Sequence, residues 1–205
     1  MKIALNTFPD LEFFELKLAQ ILGARRKNDL PTDGMVIAAV LIALFNKDSE
    51  PHVLLTKRSD HVEHHKGEIS FPGGKMDYTD PDLVSCALRE TEEEVGVQRE
   101  DVQILGEMDD FYTVATNYLV VPFVGVIPYP YEFRPSPWEI EEVLSVPLRV
   151  FFDPALVAHD TWTVHGKPLR MTFYHWKGHT IWGATARILE NFTGLLDTAQ
   201  EEQGI

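Results

Sequence analysis

Between Met35 and Phe45 the chain reads MVIAAVLIALF, with no polar side chain in the run. At about eleven residues this is too short to cross a bilayer, which takes roughly 20. It reads as a buried strand. HVLLTKRS follows as a second strand, and NKDSEP between them is turn material, so the pair predicts a hairpin. Upstream, FPDLEFFELKLAQIL (residues 8–22) places Leu11, Phe14, Leu18, Ile21 and Leu22 at helical spacing, with Gly23 to close the helix. ARRKNDLPTDG is a polar connector. Downstream, GEISFPGG reads as a short strand ending in a glycine corner.

The segment TDPDLVSCALRETEEEVG predicts a helix. Asp80 or Asp82 suits its N-cap, Pro81 its first turn and Gly96 its stop. Leu83, Ala87, Thr91 and Val95 form one apolar stripe, widened by Val84 and Leu88. Two strands follow, over roughly 102–113 and 117–127. PYPYEFRPSPWEIEEVLSVPL is a proline-rich excursion with a short acidic helix inside. DTWTVHGKPLRMTFYHWKG reads as a hairpin turning at His165-Gly166-Lys167, and HTIWGATARILENFTGLL closes the chain with a helix. The succession predicts an α/β (α+β) fold with mixed β-sheets sandwiched between helices. Residues 1–33 supply an N-terminal helix and connector, 34–190 the main domain, and 191–205 the tail of the last helix.

Composition narrows the function. A formal net charge of −14 opposes a duplex nucleic-acid partner, which would call for a basic face. It does not oppose a small anionic substrate, because bound divalent ions invert the local sign. Cys86 is the single cysteine, so no internal disulfide forms, in keeping with a reducing compartment. The N-terminal residues lack the apolar core of a signal peptide. Together these features point to a cytoplasmic protein without a membrane segment.

One helix breaks a local rule. The last turns of a helix carry partial negative charge and favour cations, yet LRETEEEVG places Glu90, Glu92, Glu93 and Glu94 there. Glu90, Glu93 and Glu94 share one face, and each close like-charge pair costs a few tenths of a kcal/mol. Rules broken without local compensation concentrate at functional sites. Three carboxylates on one face form a hard-oxygen set suited to Mg²⁺ or Mn²⁺. A solvated acidic face is the alternative for an isolated run of acids.

The surroundings of that run decide the matter. GKMDYTDPDLVSCALRETEEEVGV, Gly74 to Val97, resembles the Nudix box of the Nudix hydrolases. Arg89-Glu90, Glu93-Glu94, Gly96 and Val97 match its pattern. Thr91 stands at a usually aliphatic position, and Asp80 replaces the usual upstream Glu with one extra residue before Arg89. That spacing is similar to the coenzyme A pyrophosphatase subfamily. So are LLTKRS (Leu54 to Ser59), Gly67, FPGG (Phe71 to Gly74), VPFVG (Val121 to Gly125), SVPL (Ser145 to Leu148) and IWGATARIL (Ile181 to Leu189). Glu63 stands where the subfamily signature has Arg.

The resemblance implies a Nudix fold and metal-dependent cleavage of a diphosphate linkage. Coenzyme A or an acyl derivative would yield 3′,5′-ADP and a phosphopantetheine product; ADP-ribose or a dinucleotide is the alternative substrate. A non-catalytic nucleotide-binding module is the other reading, and the full set of costly acids argues against it. By resemblance, Glu90 and Glu94 bind Mg²⁺ or Mn²⁺, Glu93 binds metal or acts on the attacking water, the carbonyl of Gly73 completes the shell, and Arg89 orients a carboxylate. Arg58 meets substrate phosphate or pairs with the glutamates, with Lys66 and Lys75 as further phosphate candidates. The family also suggests a homodimer.

Other residues carry weaker signals. His61, His64 and His65 lack the spacing and the cysteine neighbours of a zinc site, and read as part of a substrate-facing loop. Cys86 reads as packing, and Trp182 as core before base-stacking. Phe111, Tyr112 and Tyr118 suit either core packing or an adenine platform. One of Glu139, Glu141 and Glu142 is a candidate late-loop ligand or base.

Overall fold

The apolar run is a strand because it has a packed layer on each side. In the computed structural model, which describes residues 11–201 apart from residues 64, 114–115 and 165, the elements run in a fixed order. They are α1 (Leu11–Ala24), β1 (Val36–Lys47), β2 (Glu50–Arg58), β3 (Ile69–Ser70), β4 (Gly73–Lys75), α2 (Leu83–Val95), β5 (Gln103–Glu107), β6 (Phe111–Tyr112), β7 (Tyr118–Val126), β8 (Ile140–Pro147), β9 (Val157–Val164), β10 (Lys167–Trp176), β11 (His179–Ile181) and α3 (Gly183–Glu201). Side chains of a strand alternate between faces. Ala39, Leu41, Ala43 and Phe45 of β1 therefore meet Cys86, Ala87 and Val95 of α2. Ala38, Ile42 and Leu44 meet the opposite layer, with Leu18 and Leu22 of α1 and Leu189 and Phe192 of α3. Each leucine, isoleucine, valine or phenylalanine among them contributes about 1.5–3 kcal/mol by leaving water, so a strand apolar on both faces is stable only at the centre of a sandwich.

The large sheet runs β3-β2-β1-β7-β5, with β4 on β1, β6 on β7 and β8 on β2. Its central pair, β1 and β7, is parallel from Val36↔Tyr118 to Leu44↔Val126. The other pairings are antiparallel, so the sheet is mixed. A smaller sheet, β11-β10-β9, precedes α3.

Several boundaries depart from the sequence expectation. The strand expected over 102–113 is two strands, because Asp109 and Asp110 leave the ladder after the Met108 N–H donates to the Pro122 carbonyl at 2.8 Å. Asp109 accepts from the Arg25 guanidinium at 2.5 Å and from the Asn28 amide at 2.8 Å, while Asp110 meets Lys27 Nζ at 2.8 Å. Gly23 lies inside α1 and does not end it. Residues 8–10 of the expected first helix and His165 of the expected hairpin turn lie outside the described residues, but β9 and β10 do pair antiparallel. Asp82, and not Asp80, caps α2, its carboxylate accepting from Ser85 N at 2.7 Å, so Pro81 precedes the cap. The buried stripe of α2 includes Ala87, Thr91 and Val95 as expected, and adds Cys86 and Glu94. Gly96 ends the helix in the left-handed conformation at φ 74°.

The acidic helix expected in the proline-rich excursion is a correction. Ser136 O accepts from Glu139 N and Ile140 N, which makes one turn, and the chain then becomes β8. The β-branched sequence IEEVLSV finds an open partner in β2, and the pairing His52↔Pro147 through Arg58↔Ile140 overrides local helix propensity.

Gly73 fixes the corner that the rest of the fold closes around. Its φ is 149°, and a Cβ there would lie 2.4 Å from the carbonyl oxygen of Ala39 and 2.6 Å from the Cα of Val40. Neither backbone atom can yield without breaking β1. Gly73→Ala is expected to destabilise the fold by about 2–4 kcal/mol, combining backbone strain with overpacking. Urea unfolding measures it, and an unchanged midpoint contradicts the assignment.

Candidate active site

The central strand changes partners along its length. Leu44–Lys47 pair with β2, whereas Ala38–Val40 pair with β4. Beyond Val53 that edge of β2 leaves β1 and pairs with β3, while β8 runs along its other edge. The divergence receives the acid face of α2, which packs on β1 and β4. A bulge in the β2–β8 ladder, between Lys57 and Arg58, leaves Glu141 as the extra residue. Bulges re-aim the side chains beside them, and here Arg58 is directed at Glu94.

Glu94 is 2% exposed. Its Oε1 accepts from Arg58 Nη1 at 3.4 Å and its Oε2 from the backbone N–H of Gly73 at 3.2 Å. Both contacts are long for bonds to a carboxylate. Burial therefore prevails over Arg58 and the Gly73 amide, and pushes the Glu94 carboxyl up to about 8. Glu90 is raised in the same direction by burial, against the pull of Arg89.

Arg89 reconciles the remaining acids. Its Nε and Nη2 grip the two oxygens of Asp80, each at 2.8 Å. Its Nη1 donates to Glu90 at 2.8 Å and Glu93 at 3.1 Å, and Nη2 reaches the Lys75 carbonyl at 3.3 Å. This bidentate clamp holds the Asp80 carboxyl down to about 2. Asp80 is thus the anchor of Arg89, a role its sequence position did not reveal. Arg89 donates to two carboxylates of α2, and its donors are committed to the protein. Gly74 supplies the space for Glu90: a Cβ there would come within 2.5 Å of the Glu90 carboxylate.

The other candidates sort by position. Lys75 is exposed at the end of β4, and Lys66 is exposed in the 59–68 loop. Glu139 stands close enough to Glu90 and Glu94 to repel both. Glu141 and Glu142 turn away, to Lys57 at 2.8 Å and His179 at 3.6 Å. His61 stacks on Trp138 and His65 meets Glu68 at 2.9 Å, while His64 lies outside the described residues. Cys86 is buried with its thiol pushed up to about 11 by that burial, as expected of a packing residue. Phe111 belongs to the core, Tyr118 packs against it, and the Tyr112 hydroxyl donates to the Pro31 carbonyl. Trp182 contacts Trp162. Trp138, which is exposed beside the site, drew no notice in the sequence.

The donor set fits a hard divalent cation facing an anion, although among the described residues no three carboxylate, histidine or cysteine groups stand close enough as placed to hold one. Glu90 and Glu93 are turned to Arg89, and Glu94 to Arg58. The fit rests on two incompletely satisfied groups. The buried Glu94 carboxylate has only long contacts, and a cation would complete it. The Nε of Arg58 is buried with no hydrogen-bond partner among the described residues, and an anionic oxygen would satisfy it.

Comparison with known proteins agrees with this arrangement. Residues 35–170 match the NUDIX domain. The chain is 36% identical to the Nudix hydrolase NudL of Photorhabdus laumondii, over 74% of this chain and 80% of that protein. It is 35% identical to the NudL of Yersinia pestis, over 75% of this chain and 76% of that protein. Among solved structures, a MutT/nudix family protein from Enterococcus faecalis superposes with a TM-score of 0.52 at 15% identity, over 93% of this chain and 76% of that one, a likeness of fold alone. No helix among the described residues is long and apolar enough to cross a membrane. With a domain match across most of its length and relatives above one-third identity, the chain belongs to the Nudix hydrolases, enzymes that cleave pyrophosphate bonds in nucleoside diphosphate derivatives with the help of divalent metal ions such as Mg²⁺ or Mn²⁺.

Proposed function

We propose that this enzyme hydrolyses the diphosphate linkage of coenzyme A or an acyl-coenzyme A, giving 3′,5′-ADP and a phosphopantetheine product. The observation that supports this reading most is the assembly of the subfamily segments around one carboxylate. LLTKRS presents Arg58 to Glu94, and FPGG presents the Gly73 amide to the same group. IWGATARIL docks on the strand between them through Thr185 Oγ1, which donates to the Ile69 carbonyl at 2.9 Å. The first two segments thus meet at one carboxylate, and the third braces the strand that joins them.

Glu90, Glu94 and the Gly73 carbonyl, with Glu93 as a further ligand or base, would hold Mg²⁺ or Mn²⁺. When bound, such an ion neutralises phosphoryl oxygens and makes a coordinated water more acidic. The protein's own groups do the rest. Arg89, anchored by Asp80, gathers Glu90 and Glu93 on one side of α2, from where they would turn to a bound cation. Glu93, the most exposed of the three, faces solvent and is suited to take a proton from the attacking water. Arg58 meets a phosphate oxygen through the Nε that the protein leaves unpartnered. Lys66 and Lys75 offer positive charge at the rim. The position of Glu63 favours a second substrate reading, since an acid where the signature has arginine weakens recognition of the additional 3′-phosphate; ADP-ribose or a dinucleotide lacks that group.

Incubation with coenzyme A, ADP-ribose and NADH, followed by mass analysis of products, tests the proposal. Release of 3′,5′-ADP that needs Mg²⁺ or Mn²⁺ and stops in EDTA is expected. Preference for ADP-ribose would assign the second reading. No turnover of any of the three, or turnover that survives EDTA, would overturn the hydrolytic proposal.

The two corner glycines give a second test. The clash at Gly74 is with a side-chain end that can swing away, unlike the backbone clash at Gly73. Gly74→Ala is expected to keep its melting temperature within a few degrees, and to lose activity by about 100-fold as Glu90 is displaced. Full activity in this variant would show that the placement of Glu90 is not critical.

A further inference from the structure

Two rings stand outside the acid cluster, yet on the segments that carry it. Trp138, the residue before Glu139, is 69% exposed. His61, three residues after Arg58, stacks on it with ring centroids 5.0 Å apart and planes 13° from parallel. Ser59 ties the pair down. It is 4% exposed. Its Oγ donates to the Trp138 carbonyl at 2.5 Å, its N–H donates to the Glu139 carbonyl at 2.8 Å, and the His61 N–H donates back to its Oγ at 3.2 Å. The rings are therefore held at a fixed place relative to Arg58 and Glu139, which face Glu94. With consecutive Cα atoms about 3.8 Å apart, Trp138 lies one step from Glu139, and His61 at most about 11 Å from Arg58.

An indole kept in water beside a polar site, and braced from behind by a second ring, is a preorganised flat surface. Its chemistry selects the occupant. Glu139 follows Trp138, and Asp60 and Glu63 lie on either side of His61, so an anionic group is disfavoured there. An uncharged aromatic ring is not, and stacks well on a tryptophan face. We propose that Trp138, backed by His61, is the platform on which the purine base of the substrate stacks while its diphosphate lies on the acid face of α2. This assigns the base to a place that Phe111, Tyr112, Tyr118 and Trp182 do not occupy. It rests on the reading of the site as one for nucleoside diphosphate derivatives.

Binding without turnover tests the platform separately from the chemistry. AMP, UMP and ribose 5-phosphate are titrated against the full chain in EDTA, with affinity read by saturation-transfer NMR and the indole N–H of Trp138 followed in ¹H–¹⁵N spectra. AMP is expected to bind more tightly than UMP, to receive saturation at its base protons and to shift the Trp138 resonance; ribose 5-phosphate is expected to do neither. Trp138→Ala should weaken AMP binding by about 5- to 100-fold and leave ribose 5-phosphate unaffected. Trp138→Phe should recover most of the loss. In turnover, Trp138→Ala should raise KM far more than it lowers kcat.

Equal binding of AMP and ribose 5-phosphate, or a Trp138 resonance unmoved by AMP, overturns the platform even if Trp138→Ala fails to fold. A folded Trp138→Ala that binds AMP as tightly as the wild type does the same, and leaves the pair as a clip between two loops. Absence of diphosphate turnover would overturn the hydrolase proposal while the AMP result stood.

Discussion

A carboxylate sits where the central strand changes partners, and the site is organised around it. Glu94 is buried against β4, where β1 passes from β4 to β2. Removing a charge from water costs several kcal/mol unless partners replace the solvent. Arg58 and the Gly73 amide do so only at 3.4 and 3.2 Å. Each partner arises from a distinct structural device: a bulge that re-aims Arg58, and a glycine corner that brings backbone close to the helix. The fold thus holds a group that folding alone would not favour in its ionised form.

The neighbouring acids are handled differently. Glu90 and Glu93 share Arg89, which is fixed in turn by two 2.8 Å bonds to Asp80. Their repulsion is offset by one guanidinium whose own position is secured by a group outside the cluster. The result is a graded set of carboxylates: Asp80 held down near 2 by its arginine, Glu90 raised by partial burial, and Glu94 raised to about 8 by nearly complete burial. A graded set of this kind, with the buried Arg58 Nε unpartnered among the described residues, suits a reaction in which cations and a bridging diphosphate must be received together.

Much of this was legible in the sequence for reasons that can be named. The Met35–Phe45 run announced a buried strand because it carries no polar side chain and ends in the turn material NKDSEP before a second apolar run. The acids at the end of α2 marked a candidate site because they violate the preference of a helix C-terminus. What the sequence hid depends on distant partners. Ile140–Pro147 became a strand because β2 had a free edge. The 102–113 strand broke because Arg25 and Lys27, some eighty residues earlier, capture Asp109 and Asp110. Asp80 looked like a helix cap, and its bond to Arg89 appears only once the 77–82 turn folds back. Trp138 gave no periodic signal at all, since its place is set by Ser59 in a different loop.

The central claim is that the buried Glu94 binds a divalent cation as a carboxylate, and its titration gives the most direct measurement. Its pKa is raised in the folded protein, so the stability it contributes is fully present below the ordinary carboxylate range and is lost as pH rises through about 8. A cation favours the ionised form and must displace the proton below that pH. Calorimetric Mn²⁺ titration of the wild type and of Glu94→Gln, in buffers of different ionisation enthalpy, reads that proton. Affinity in the wild type should rise with pH until about pH 8, with protons released below it and none well above, and Glu94→Gln should bind weakly without the proton release. Equal Mn²⁺ affinity in the two proteins, or binding independent of pH across that range, would contradict the account.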